Sequence, residues 1–245
     1  MAKSALKSSL LALLLIGAPL IGQDYVVEWD PPFPTDQDSV MVTFYADRGT
    51  AGLAGYSGTV YAHSGVITNL SGSDADWRYV IGEWGDNNTQ PAMTNVSDDV
   101  YTILIVNPRA YYGVAAGETI EQLTFVFRSA DASREGKAVG ANDIFVPITN
   151  RLVNVRFLEP GREDTFISAG DSVVVVAIAT SLESEIATMT LLVDGMELLQ
   201  VAADTLRYTF RPPGYGRRLL SVIAVDNAGQ SDSAYLAVQV NPALV

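Results

Sequence analysis

The chain has 245 residues, 48% of them hydrophobic, and a formal net charge of −13. That composition supports a packed core and is not that of a disordered chain. The charge argues against phosphate backbones and anionic lipid as partners, because both demand a Lys/Arg surface. A neutral partner such as a sugar remains compatible with it.

The first element reads as a processing signal. Lys3 and Lys7 precede the apolar run "LLALLLIGAPLIG" (Leu10 to Gly22), which has signal-peptide length and is short for a membrane span. Residues 1–22 therefore read as a signal peptide, the alternative being an uncleaved anchor, with a mature chain starting near Gln23 or Asp24, exported to the medium or the cell surface. No later stretch is long and apolar enough to cross a membrane, so no span is expected in the mature chain. The sequence contains no cysteine, so the exported domains must be held by their cores rather than by disulfides.

The next hundred or so residues are strand-like. "SVMVTFYAD" (Ser39 to Asp47), "GTVYAHSGV" (Gly58 to Val66), "DVYTILIV" (Asp99 to Val106), "EQLTFVFRS" (Glu121 to Ser129) and "DIFVPI" (Asp143 to Ile148) are rich in β-branched and aromatic residues. Turn formers bound each of them. No segment sustains a helical period over three turns. "YY" at Tyr111 and Tyr112 falls in a loop after Pro108 and is expected to pack.

A second series begins near Arg151. "LVNVRFLEP", "DSVVVVAIAT", "ATMTLLVDGMELLQV", "LRYTFRPP", "RRLLSVIAVDNAG" and "SAYLAVQV" give about seven short strands with frequent turn signals, the pattern of an immunoglobulin-like sandwich. Asp194-Gly195 between apolar runs predicts a tight hairpin. With no Cys–Trp–Cys core, an aliphatic core is expected. The fold class is thus all-β: two consecutive β-sandwich, immunoglobulin-like domains, at 24–148 and 150–241, abutting near Pro147 to Arg151.

The window Val60 to Asn88 holds the only histidine, His63, and two of the three tryptophans, Trp77 and Trp84. Strand alternation puts Tyr61 and His63 on one face and Val60 and Ala62 on the other. Trp77 and Tyr79 share the same i, i+2 relation, and Trp84 precedes the short polar run Asp86, Asn87, Asn88. A flat aromatic ring removes the C–H face of a pyranose from water at little entropic cost. Histidine, asparagine, aspartate and tyrosine can pair with its hydroxyls. Either tryptophan alone would serve equally well in a core. Together, in a setting made polar by Asp74, Asp76, Arg78 and Glu83, they suggest a ligand face.

"VYAHSGVIT…DWRYVIGEWGDN", "PAMTNVSDDVYTILI", "YYGVAAGETIEQLTFVFRSAD" and "NDIFVPI" together resemble the N-terminal module of secreted Bacteroidetes alpha-amylase-family proteins. That module is similar to the starch-binding domains of carbohydrate-binding module families 25 and 26. The resemblance covers about Val40 to Ile148. It implies a starch- or alpha-glucan-binding module with Tyr61, His63 and Trp77 in the sugar platform and Trp84 as a second plane; Asn88, from the polar run after Trp84, is a further candidate contact. It also implies an attached or separate glycoside hydrolase as partner. "VDNAGQSDSAYLAVQV" resembles the immunoglobulin-like domain that follows in such proteins. The alternative is a surface interaction or adhesion protein.

The chain itself shows no catalytic signature: there is no G-x-S-x-G, H-E-x-x-H or P-loop, and no carboxylate pair in a recognisable glycosidase context. No cofactor is expected. Asp131, Asp143 and Asp171 are the oxygens available to a structural calcium, but they lack EF-hand spacing, and solvated loop carboxylates are the simpler reading.

Overall fold

The computed structural model describes residues 26–161 and 164–242. Residues 1–22, the expected signal peptide, lie outside the described residues. Almost every element is a β-strand, and the chain builds all-β sandwiches.

The first half forms two sheets. One has the order β1-β2-β6-β5, from β1 (Val27–Asp30), β2 (Ser39–Tyr45), β5 (Thr94–Ser97) and β6 (Val100–Val106). The other has the order β4-β3-β7-β8, from β3 (Val60–Thr68), β4 (Arg78–Ile81), β7 (Ile120–Ser129) and β8 (Glu135–Gly136), with β9 (Ile144–Pro147) also pairing with β7. Alternation decides the packing. Val40, Val42 and Phe44 of β2 point inward with Ile105 of β6, facing Val60, Ala62 and Val66 of β3 and Leu123, Phe125 and Phe127 of β7. The Phe44 and Phe127 rings meet at 4.2 Å across the sandwich.

Between β6 and β7 lies a short helix, α1 (Pro108–Tyr112), capped by the Asn107 side chain, which accepts from the Ala110 N–H. One turn is too short to leave a helical period in the sequence. It buries Tyr112 in the core and packs Tyr111 against it, as expected from the sequence of that pair. Arg109 reaches back to Asp36 (2.6 Å) and donates to the carbonyls of Ala115 and Glu118.

A second core runs from Val153 to Val240. Its three-stranded sheet is β10 (Val153–Glu159), β12 (Val173–Ser181) and β15 (Thr205–Phe210). Its five-stranded sheet has the order β11-β17-β16-β13-β14, from β11 (Asp164–Ser168), β13 (Ile186–Val193), β14 (Met196–Val201), β16 (Gly216–Asp226) and β17 (Ser231–Asn241). β11 pairs with β17 in parallel, and every other pairing in these sheets is antiparallel. The predicted hairpin is present: Val193 pairs with Met196 around Asp194 (φ 51°) and Gly195 (φ 81°), the left-handed pair that a two-residue turn of matching twist needs. The core is mostly aliphatic, yet Phe210 and Met189 are buried in it, so the expectation of a wholly aliphatic core is corrected. On the other side of the 147–151 connection, the Arg156 guanidinium lies 5.1 Å from the Trp29 ring and 5.6 Å from that of Phe33.

Candidate ligand-binding site

The outer face of the β4-β3-β7 sheet carries the aromatic window. β3 presents Tyr61 and His63, both half-buried, while Val60 and Ala62 are fully buried on the other side. Tyr61 stands opposite Arg128 and His63 opposite Val126 of β7.

Trp77 arrives from the loop before β4. That loop is rolled on itself: Asp76 accepts from the Gly72 N–H, and its own N–H donates to the Ser73 carbonyl. The Trp77 ring stacks on His63, with centroids 5.6 Å apart and planes 23° apart. Trp84 comes from the turn after β4 and meets His63 edge-on at 5.1 Å and 89°. That turn depends on Gly82, whose φ is +67° and where a Cβ would stand 2.8 Å from the Thr89 carbonyl. His63 is thus stacked by one indole and met edge-on by the other, and Trp84 keeps 45% of its surface exposed.

Tyr79 does not join them. Its φ of 52° breaks the strand alternation with Trp77. The ring packs against the core, and the hydroxyl donates to Glu118 at 2.7 Å. Glu118 also accepts from the Thr68 hydroxyl (3.0 Å) and from Arg78 Nη2 (3.2 Å). The Tyr79 hydroxyl and these other donors hold its carboxyl below the usual range against the opposing effect of burial. This cluster anchors β4, and through it Trp77.

Beneath the rings runs a polar relay. Arg128 is fully buried in β7. Its Nε donates to Gln90 Oε1 (2.5 Å), and its Nη1 to Asn87 Oδ1 (2.8 Å) and the Ser129 carbonyl (3.0 Å). Its guanidinium carbon lies 4.8 Å from the centre of the Tyr61 ring, a cation–π contact. Gln90 Nε2 meets His63 Nδ1 at 2.5 Å. Burial, reinforced by the Arg128 charge and opposed by Asp143, lowers the His63 pKa from its ordinary 6.5. Among the described residues Arg128 Nη2 is buried and finds no acceptor.

The polar run after Trp84 divides its tasks. Asp86 accepts from the N–H and side-chain amide of Asn88 and from the Thr89 hydroxyl. Asn87 ties the loop to β7 through Arg128 and the Ala130 carbonyl. Asn88 is exposed, its amide turned to Asp86. The structure therefore brings His63, Trp77 and Trp84 into direct contact and joins Tyr61 to them through Arg128. Gln90, Arg128 and Glu118 were not singled out from the sequence. The available signal was an arginine in the outward parity of "FVFR".

Among the described residues no group of three or more His, Asp or Glu stands together as a metal site. Asp131 accepts from Ser129 and Ser133, Asp143 pairs with Lys137 at 3.2 Å, and Asp171 accepts from the Ser168 N–H. Nor does any helix there reach the length and apolarity of a membrane span.

No family model and no curated protein matches the sequence. Among solved structures, the chain is similar to the fibronectin(III)-like modules of Clostridium thermocellum CbhA, with 20% identity over 37% of this chain and 100% of that one, and a TM-score of 0.33. It is also similar to dimeric latent PorU of Porphyromonas gingivalis, with 10% identity over 89% of this chain and 23% of that one, and a TM-score of 0.32. A third is the Bacteroides ovatus mixed-linkage glucan utilization locus protein SGBP-B, solved with a mixed-linkage heptasaccharide. It shares 13% identity over 86% of this chain and 43% of that one, with a TM-score of 0.27.

Proposed function

We propose that the chain is an exported, non-catalytic binder of starch or a related alpha-glucan that holds an attached or partner glycoside hydrolase at its polysaccharide. The observation that carries this reading is the exposed Trp84 set at a right angle to the His63–Trp77 stack on an open sheet face. Two aromatic planes at an angle suit a curved glucan, each covering the apolar side of one sugar ring, with polar groups at hand for its hydroxyls. So shallow a surface binds weakly per module, since little area leaves water. Affinity electrophoresis in soluble starch tests the reading. Retardation of the protein is the expected result, and unimpeded migration in a gel that retards a known starch binder overturns it.

The second reading, a surface interaction protein, draws on a different observation. The second sandwich exposes Phe166 (69%) and Tyr235 (62%) on its five-stranded sheet, with Leu219 and Ile223 also exposed. Capture of one specific protein partner, with no starch retardation, would favour it.

A further inference from the structure

Arg128 and Gln90 form a relay whose hydrogen-bond polarity has only one solution. A guanidinium carries donors and no acceptor, so the Gln90 atom facing Arg128 Nε must be the amide oxygen. The amide nitrogen then faces His63 Nδ1, and it too can only donate. Nδ1 must therefore offer its lone pair, which leaves the proton on Nε2.

The relay is fixed at both ends. Gln90 is buried, and the chain after it is stitched to β3: the Pro91 carbonyl accepts from the Ala62 N–H, and the Met93 N–H donates to the Val60 carbonyl. Arg128 is held by Asn87, by the Ser129 carbonyl and over the Tyr61 ring. The amide cannot turn over without placing its NH2 against the guanidinium donors.

We propose that Gln90 and Arg128 are positioning residues that hold His63 as the neutral Nε2–H tautomer, so that the aromatic face offers a ligand an uncharged hydrogen-bond donor. The tautomer stands on the relay alone; its use toward a glucan rests on the proposed starch-binding function. A protonated imidazole would turn Nδ1–H against the Gln90 NH2, close to the buried Arg128 charge. The charged groups that bear on this are Arg128 from β7, which opposes protonation, and Asp143, just before β9, which favours it. Asp86, in the turn after Trp84, acts on Arg128.

The protein has one histidine, so a long-range 1H–15N spectrum of the full chain contains one imidazole and identifies which nitrogen carries the proton. The wild type is expected to show Nε2–H at neutral pH and to titrate below 6.5. Gln90→Glu presents an acceptor to both neighbours and is expected to move the proton to Nδ1 and raise the titration midpoint. Wild type showing Nδ1–H or a tautomer mixture overturns the proposal, as does a folded Gln90→Glu protein with an unchanged imidazole spectrum. Should that variant not fold, the wild-type spectrum alone decides. A fixed Nε2–H tautomer in a protein that starch does not retard would sustain the relay and remove its use toward glucan.

Discussion

Replacing Trp84 by alanine tests the ligand face most directly, because its size of effect follows from one exposed surface. Trp84 has 45% of its surface open. For an indole side chain of roughly 250 Å², that leaves about 110 Å² available. A sugar ring covers one side of the plane, about half of it, or roughly 55 Å² of apolar area. At about 25 cal/mol per Å² the contact is worth roughly 1.4 kcal/mol, a loss of about tenfold in affinity on truncation. Affinity electrophoresis across a starch series yields the dissociation constants, with Phe166→Ala as the control because Phe166 is more exposed but lies in the other sandwich. Trp84→Ala binding as tightly as wild type, or Phe166→Ala weakening binding equally, would refute the reasoning.

Other expectations concern the scaffold. Phe44→Ala should cost about 3–5 kcal/mol in urea unfolding, since it empties the fully buried contact with Phe127. Gly195→Val should cost about 1–2 kcal/mol or more, because a β-branched residue is forced to positive φ in the β13–β14 turn. His63 has a folded pKa below its ordinary 6.5, so the unfolded chain takes up that proton first. Stability should therefore fall as the pH drops from 6.5 toward the folded value, and His63→Gln should remove that part of the slope. Asp131 is separable in the same scan. The Ser129 hydroxyl and then Ser133 hold it at about 2, so its contribution, present above 3.8, is lost only as the pH falls toward about 2.

Much of the scaffold was legible because it is local. "SVMVTFY" alternates, so Val40, Val42 and Phe44 had to share a face, and Asp194-Gly195 carries its own turn conformation. The outward pairing of Tyr61 and His63 came from the same parity. What escaped depends on partners far apart in sequence. Gln90 sits 27 residues from His63 and 38 from Arg128, and nothing in its neighbourhood marks it as the joint between them. Tyr79 escaped for another reason: one residue of positive φ reverses the parity that strand reading assumes. β11 has a short pattern and pairs in parallel with the end of the chain's last strand, so no adjacent hairpin signal announces it.

That parallel pairing has a mechanical consequence. Asp164 to Ser168 of β11 run alongside Ala237 to Asn241 of β17, and β17 is flanked on its other side by β16 over most of its length. Tension drawn in opposite directions through the start of β11 and the end of β17 slides the two strands past one another. The rungs between them then share the load and must give way together, where a hairpin pulled open from its end would yield one rung at a time.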